Sequence, residues 1–147
     1  MDEKISIRHA LAADFKDIAY ICRTSLGYDC SAELVRKRLE TLDSKREAVF
    51  AAVYDDRVVG FVHSERYEVL YAEPLINILG IAVDNGYKRR GIGRMLMQAV
   101  EKDAAERGVT GIRLNSGGSR SGAHEFYRSL GFDSEKTQIR FIKQFRG

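Results

Sequence analysis

Hydrophobic positions change their spacing several times along the chain, and each change marks an element. The short alternating stretch Lys4–Arg8 predicts a first strand. Ile18, Ile21, Cys22 and Leu26 then recur at helical steps, on a helix that can begin at Asp14 and end at Gly27. A second helix carries Leu34, Val35, Leu39 and Leu42 on one side, with Ser31 placed to accept from its first-turn amides. Two β-rich runs follow, Ala48–Asp55 and Arg57–Leu70, joined by the tight-turn pair Asp55-Asp56. LINILGIAV (Leu75–Val83) is almost wholly apolar, the pattern of a central strand covered on both faces. Helical spacing returns with Ile92, Met95, Leu96, Ala99 and Val100, and Gly108 can terminate that helix. A short strand (Gly111–Ser116), a helix in AHEFYRSLGF stopping at Gly131, and a closing alternating strand in QIRFIKQF complete the chain. The order β-α-α-β-β-β-α-β-α-β predicts an α/β fold: a mixed, mostly antiparallel sheet flanked by helices.

Neither a repeat nor a linker interrupts this pattern, and 147 residues suit one domain spanning 1–147. The net charge of +3 permits an anionic small ligand. No dense basic run or basic-aromatic stripe appears, so nucleic acid is not an expected partner. MDEKISIRHA carries charges where a signal peptide has its apolar core, and no apolar stretch approaches the ~20 residues of a membrane span. A cytoplasmic protein without a membrane partner is expected. Cys22 and Cys30 match no metal or redox spacing, and Cys22 reads as a small apolar residue on the face of Ile18 and Leu26.

The chemistry concentrates in YKRRGIGRML, between the apolar strand and the third helix. Asp84-Asn85-Gly86 is turn chemistry, and Gly91 and Gly93 fall in the first turn of the helix. Free N–H groups and the helix dipole make such a start attractive to an anion, and glycines let a phosphate approach the backbone. Lys88, Arg89, Arg90 and Arg94 add positive charge. The common nucleotide motifs do not fit. A P-loop needs Gly-Lys-Ser/Thr where Gly93 is followed by Arg94-Met95, and the dinucleotide fingerprint needs a glycine at Leu96.

Ile81-Ala82-Val83-Asp84 followed by Lys88-Arg89-Arg90-Gly91-Ile92-Gly93 resembles the coenzyme A signature of the GNAT superfamily of acyl-CoA N-acyltransferases, with Lys88 where that family has Arg or Gln. A second block, Arg120-Ser121-Gly122-Ala123-His124-Glu125-Phe126-Tyr127 through Gly131-Phe132, resembles the family's later helix, in a branch that includes aminoglycoside-acetyltransferase-like proteins. Arg120 stands where the family usually has Asn. The element order also matches, so the resemblance covers nearly the whole chain.

This resemblance implies a single-domain GNAT-like fold and an N-acetyltransferase using acetyl-CoA by direct transfer in a ternary complex, without a metal. It places Ile81, Ala82 and Val83 against the pantetheine and the amides of Arg89–Arg94 against the pyrophosphate, with Lys88, Arg120, Ala123 and Tyr127 also at the cofactor. Tyr127 takes the place of the general acid toward the departing thiolate; a phenol with a pKa of ~10 is protonated at neutral pH. The base is open. Asn77, Leu79 and Gly80 on the central strand cannot titrate, which leaves Glu73, Glu68, His63, His124 or a chain of waters. Glu73 is the carboxylate chosen as the catalytic candidate, and Asn115 could orient a water or the amine. Glu65, Glu68 and Glu73 could attract a cationic acceptor, a small molecule or a peptide. The closing strand offers an edge for a homodimer. The alternative from another class is a non-catalytic coenzyme-A-binding sensor or regulatory module.

Overall fold

The computed structural model describes residues 4–116, 121–133 and 136–145. The chain divides into two compact units, Met1–Leu114 and Asn115–Gly147.

The first unit holds one five-stranded sheet, in the order β1-β2-β3-β4-β5. Its strands are β1 (Ser6–His9), β2 (Glu47–Tyr54), β3 (Arg57–Tyr67), β4 (Leu75–Val83) and β5 (Ile112–Leu114). The first four form an antiparallel meander, and β5 runs parallel to β4. The β2–β3 turn works as its sequence predicts. Asp55 and Asp56 both have positive φ (51° and 62°), the mirror-image turn whose twist suits a two-residue hairpin, and Asp tolerates it better than most residues.

Helices α1 (Phe15–Ser25) and α2 (Ala32–Glu40) follow β1. Ser31 caps α2, its side chain accepting from Leu34 N at 3.1 Å. Buried Ile18 and Ile21 of α1 share one core cluster with Ala51, Phe61 and Ala82 of the sheet. Ahead of α1, Asp14 accepts from Leu11 N at 2.7 Å and from both Nη atoms of Arg8, at 2.8 and 3.0 Å. Burial pushes the Asp14 carboxyl up, yet the Arg8 guanidinium and the Leu11 amide outweigh it and hold the group below the ordinary carboxylate range.

Helix α3 (Ile92–Glu106) buries Ile92, Leu96, Met97, Val100 and Ala104. Its seat depends on Gly60 of β3. A Cβ there would stand 3.0 Å from Ile92 Cγ2 and 3.2 Å from the Ala82 carbonyl oxygen. The missing side chain therefore lets the start of α3 press against the middle of the sheet. Each fully buried aliphatic side chain in this layer contributes about 1.5–3 kcal/mol.

The second unit contains α4 (Ser121–Ser129), which ends at Gly131 with φ 94°. The strand expected over QIRFIKQF is not formed: residues 136–145 have no regular secondary structure, and Ile139, Phe141, Ile142 and Phe145 are exposed. Alternation specifies which side chains share a face, but a strand exists only where an edge pairs with it. Apart from this last element, the observed order is the expected one.

Candidate active site

The sheet opens where the apolar strand leaves β5. β5 pairs with β4 only across Ile76–Ile78, while β4 continues to Val83. From Leu79 to Val83, β3 holds one edge of β4, and among the described residues no strand holds the other. The β3–β4 register shifts between His63 and Ser64, whose partners are Gly80 and Ile78, so Leu79 is left out of the pairing. Leu79 is 47% exposed, and a Cβ on Gly80 would meet nothing within 4 Å. The strand expected to be covered on both faces is thus buried at Ile76, Ile78 and Ala82 but open at its middle. The free amides and carbonyls of such an edge can pair with an extended, amide-bearing ligand.

This edge leads directly into the glycine turn. Asp84 is buried and holds the corner: its carboxylate accepts from Gly86 N at 2.9 Å and from Arg57 Nη2 at 3.2 Å. The end of α1 is tied to the same corner, with Ser25 Oγ donating to Val83 O at 2.9 Å and Asn85 Nδ2 to Thr24 O at 3.1 Å. Arg89 and Gly91 both have positive φ, 67° and 78°. Gly91 is the N-cap of α3 and supplies no side chain to cap it, so the first-turn amides keep their donor capacity for an anion. Left-handed backbone is natural for glycine but strained for arginine, and such strain concentrates at ligand-binding loops. Lys88, Arg89, Arg90 and Arg94 are exposed around this start. The Arg90 guanidinium lies 5.0 Å from the Tyr87 ring centroid and 5.7 Å from that of Tyr54, so it stacks on aromatic faces.

Ile81–Val83 and Lys88–Arg94 are therefore brought together on one strand–turn–helix unit. Tyr127 and Ala123 lie on α4, and the Tyr127 ring packs 5.5 Å from Phe126 and 6.1 Å, edge-on, from Phe132. Asn115 is exposed just past β5, while the Ser116 Oγ beside it is buried without a hydrogen-bond partner among the described residues. Glu73 is exposed in the β3–β4 connection, and Arg120 lies outside the described residues. Among the described residues no cluster of metal-ligating side chains forms, and no helix is long and apolar enough to cross a membrane.

The acidic stretch of β3 and its following connection is more committed than its sequence suggests. Glu68 pairs with Arg66 at 3.1 Å and Arg46 at 3.6 Å, and Glu65 accepts from Asn77 Nδ2 at 3.1 Å.

His63 stands in the sequence as one of several possible bases, but its pairing with Glu47 is visible only in the fold. His63 Nε2 lies 2.8 Å from Glu47 Oε1, and Arg38 Nη2 donates to the same oxygen at 3.0 Å. Burial raises the Glu47 carboxyl, but the His63 hydrogen bond, the Asp43 amide and the charges of His63 and Arg38 bring it below its ordinary value. The pair forms across β2 and β3, 16 residues apart, and only the register of the ladder aligns it. His63 lines a cavity of about 280 Å³ under α1 and α2 together with Cys22, Val49 and Phe61.

The model of the Acetyltransferase (GNAT) family matches residues 10–132. The chain belongs to the GNAT family. The GNAT chain is 38% identical over 93 residues to the [ribosomal protein bS18]-alanine N-acetyltransferase of Salmonella typhimurium, a match covering 63% of the chain and 60% of that relative. It thus spans less than two thirds of that relative's length. It is also 28% identical over 123 residues to an uncharacterized N-acetyltransferase of Chlorobaculum tepidum, covering 82% of the chain and 72% of the relative. Among solved structures, an aminoglycoside acetyltransferase from an uncultured soil metagenomic sample, in complex with trehalose, superposes with a TM-score of 0.81 at 23% identity, covering 99% of both chains. An aminoglycoside N-acetyltransferase in complex with CoA superposes at 0.82 and 18% identity, over 96% of this chain and 95% of that one. These superpositions establish the shared fold, and with the family match they bear out the resemblance carried by the two sequence blocks.

Proposed function

We propose that this GNAT protein is a cytoplasmic acetyl-CoA-dependent N-acetyltransferase acting on a primary amine of a small molecule or peptide, with both compact units working as one domain. The observation that carries this reading is the open edge of β4 running into the uncapped glycine start of α3. An extended pantetheine would pair with the backbone of Ile81, Ala82 and Val83. The pyrophosphate at its far end would meet the first-turn amides of α3, with Lys88, Arg89, Arg90 and Arg94 around it and Gly91 and Gly93 leaving room. Arg120 and Ala123 are the further cofactor residues of this reading. The alanine N-acetyltransferase activity named for the Salmonella typhimurium relative supports the same chemistry.

Transfer is direct. The amine nitrogen attacks the thioester carbonyl, an N–C bond forms, the C–S bond breaks, and no enzyme-bound acyl group intervenes. The developing oxyanion is met by an N–H of the open β4 edge. Tyr127 gives its proton to the departing thiolate, and Asn115 orients the amine or a water. The amine must shed a proton before or during attack. His63 is the group best placed to take it. It is half-buried, oriented by Glu47, and stands opposite Gly80, the residue before Ile81. Glu73 is the other candidate base, and His63→Gln and Glu73→Gln separate the two.

The test is thiol release from acetyl-CoA in the presence of primary amines, comparing the wild type with Tyr127→Phe. Loss of the phenol should lower kcat by about 10²-fold or more with coenzyme A affinity unchanged. Coenzyme A binding with no thiol release from acetyl-CoA in the presence of any amine would instead mark a sensor.

A further inference from the structure

We propose that the cavity beneath α1 and α2 is a subsite for an apolar group of the acceptor, so that the preferred substrate is an amine bearing one aliphatic or aromatic side chain rather than a polycation. The proposal rests on the acetyl-transfer reading above and adds the acceptor's chemical class.

The cavity measures about 280 Å³. That is near the lower bound of ligand pockets, ~300 Å³, and suits a single side chain rather than a whole multi-ring ligand. Ile18 and Cys22 come from α1, Leu34, Val35 and Leu39 from α2, and Phe61 from β3. Cys22 does not break the apolar character: burial first, and then neighbouring Cys30, push its thiol up to about 11, so it stays neutral at physiological pH.

Charge decides the occupant. Among the described residues, no carboxylate lines the cavity, and the lining groups able to carry positive charge are Arg38 and His63. Glu47 is already shared between them. Nearby on β3 and beyond it, Glu65 and Glu68 are likewise engaged. A polycation entering here would lose hydration without meeting a free counter-charge, whereas an alkyl or aryl group would leave water for an apolar wall. Of the polar lining groups, His63 stands opposite Gly80 in the ladder. An acceptor with its side chain in the cavity therefore presents its amine at the strand expected to hold the thioester.

The experiment measures thiol release from acetyl-CoA with three acceptors: glycinamide, leucinamide and spermidine. Leucinamide should exceed glycinamide in kcat/KM by about tenfold or more, and spermidine should fall below glycinamide. Two cavity-filling variants, Val35→Phe and Cys22→Leu, should each erase the leucinamide advantage while glycinamide turnover stays within about twofold of wild type. That retained turnover also shows that the variants fold and work. Equal kcat/KM for leucinamide and glycinamide overturns the proposal. So does a preference for spermidine, or a leucinamide advantage that survives both variants. If no amine is acetylated, the enzymatic reading itself fails, and the subsite is decided by binding alone. N-acetyl-leucinamide should then shift the methyl resonances of Val35 and Val49 in the wild type but not in Cys22→Leu, and unshifted methyls overturn the proposal.

Discussion

Glu47 Oε1 lies 2.8 Å from Nε2 of His63, across two neighbouring strands whose register brings together residues 16 apart. The pairing gives the imidazole a fixed orientation beside the open part of β4. His63→Gln should therefore lower kcat by about 10²-fold while leaving coenzyme A affinity unchanged. Glu47→Gln acts through His63 and should cost less. Steady-state kinetics paired with coenzyme A calorimetry checks this. A normal kcat in His63→Gln together with a collapsed one in Glu73→Gln would reassign the base to the loop carboxylate.

Gly93 lies in the first turn of α3, where the pyrophosphate is expected to touch the backbone. Gly93→Val should set a branched side chain against it and weaken coenzyme A binding by more than tenfold, over ~1.4 kcal/mol. Calorimetric titration of the folded variant is the check. Unchanged affinity would move the phosphate site away from this turn.

Asp14 links stability to pH. Its folded carboxyl is held below the ordinary range by Arg8 and the Leu11 amide, despite burial. Its contribution is therefore complete above the unfolded carboxyl pKa, ~3.9, and is lost as pH falls through the lower folded value. Asp14→Asn should destabilise the protein by about 1–3 kcal/mol at pH 7 and flatten the fall in stability below about pH 4. Urea melts across that range read both effects, and a variant as stable as wild type at pH 7 would show that the Arg8–Asp14 bridge contributes nothing.

Local chemistry made much of this molecule legible in its sequence. The tight turn at Asp55-Asp56, the cap at Ser31 and the helical spacing of Ile92, Leu96 and Val100 depend on residues close in the chain, and each appears as expected. Relations between distant segments were not legible. Leu79 reads as one more core residue of an apolar strand, yet a register shift and the early end of β5 leave it exposed. Glu68 reads as a free acidic side chain until Arg46 is folded against it. The run from Gln138 to Phe145 has the period of a strand but no partner edge among the described residues.

The central claim is that the open β4 edge and the glycine start of α3 together bind coenzyme A. A thermal-shift titration with acetyl-CoA, free coenzyme A and ATP, side by side, tests it most directly. At 100 times its Kd a ligand of the folded state adds about 2.7 kcal/mol of stability, an easily measured rise in Tm. The account predicts such a rise with both coenzyme A species and none with ATP. No shift with either coenzyme A species, or an equal shift with ATP, would contradict it.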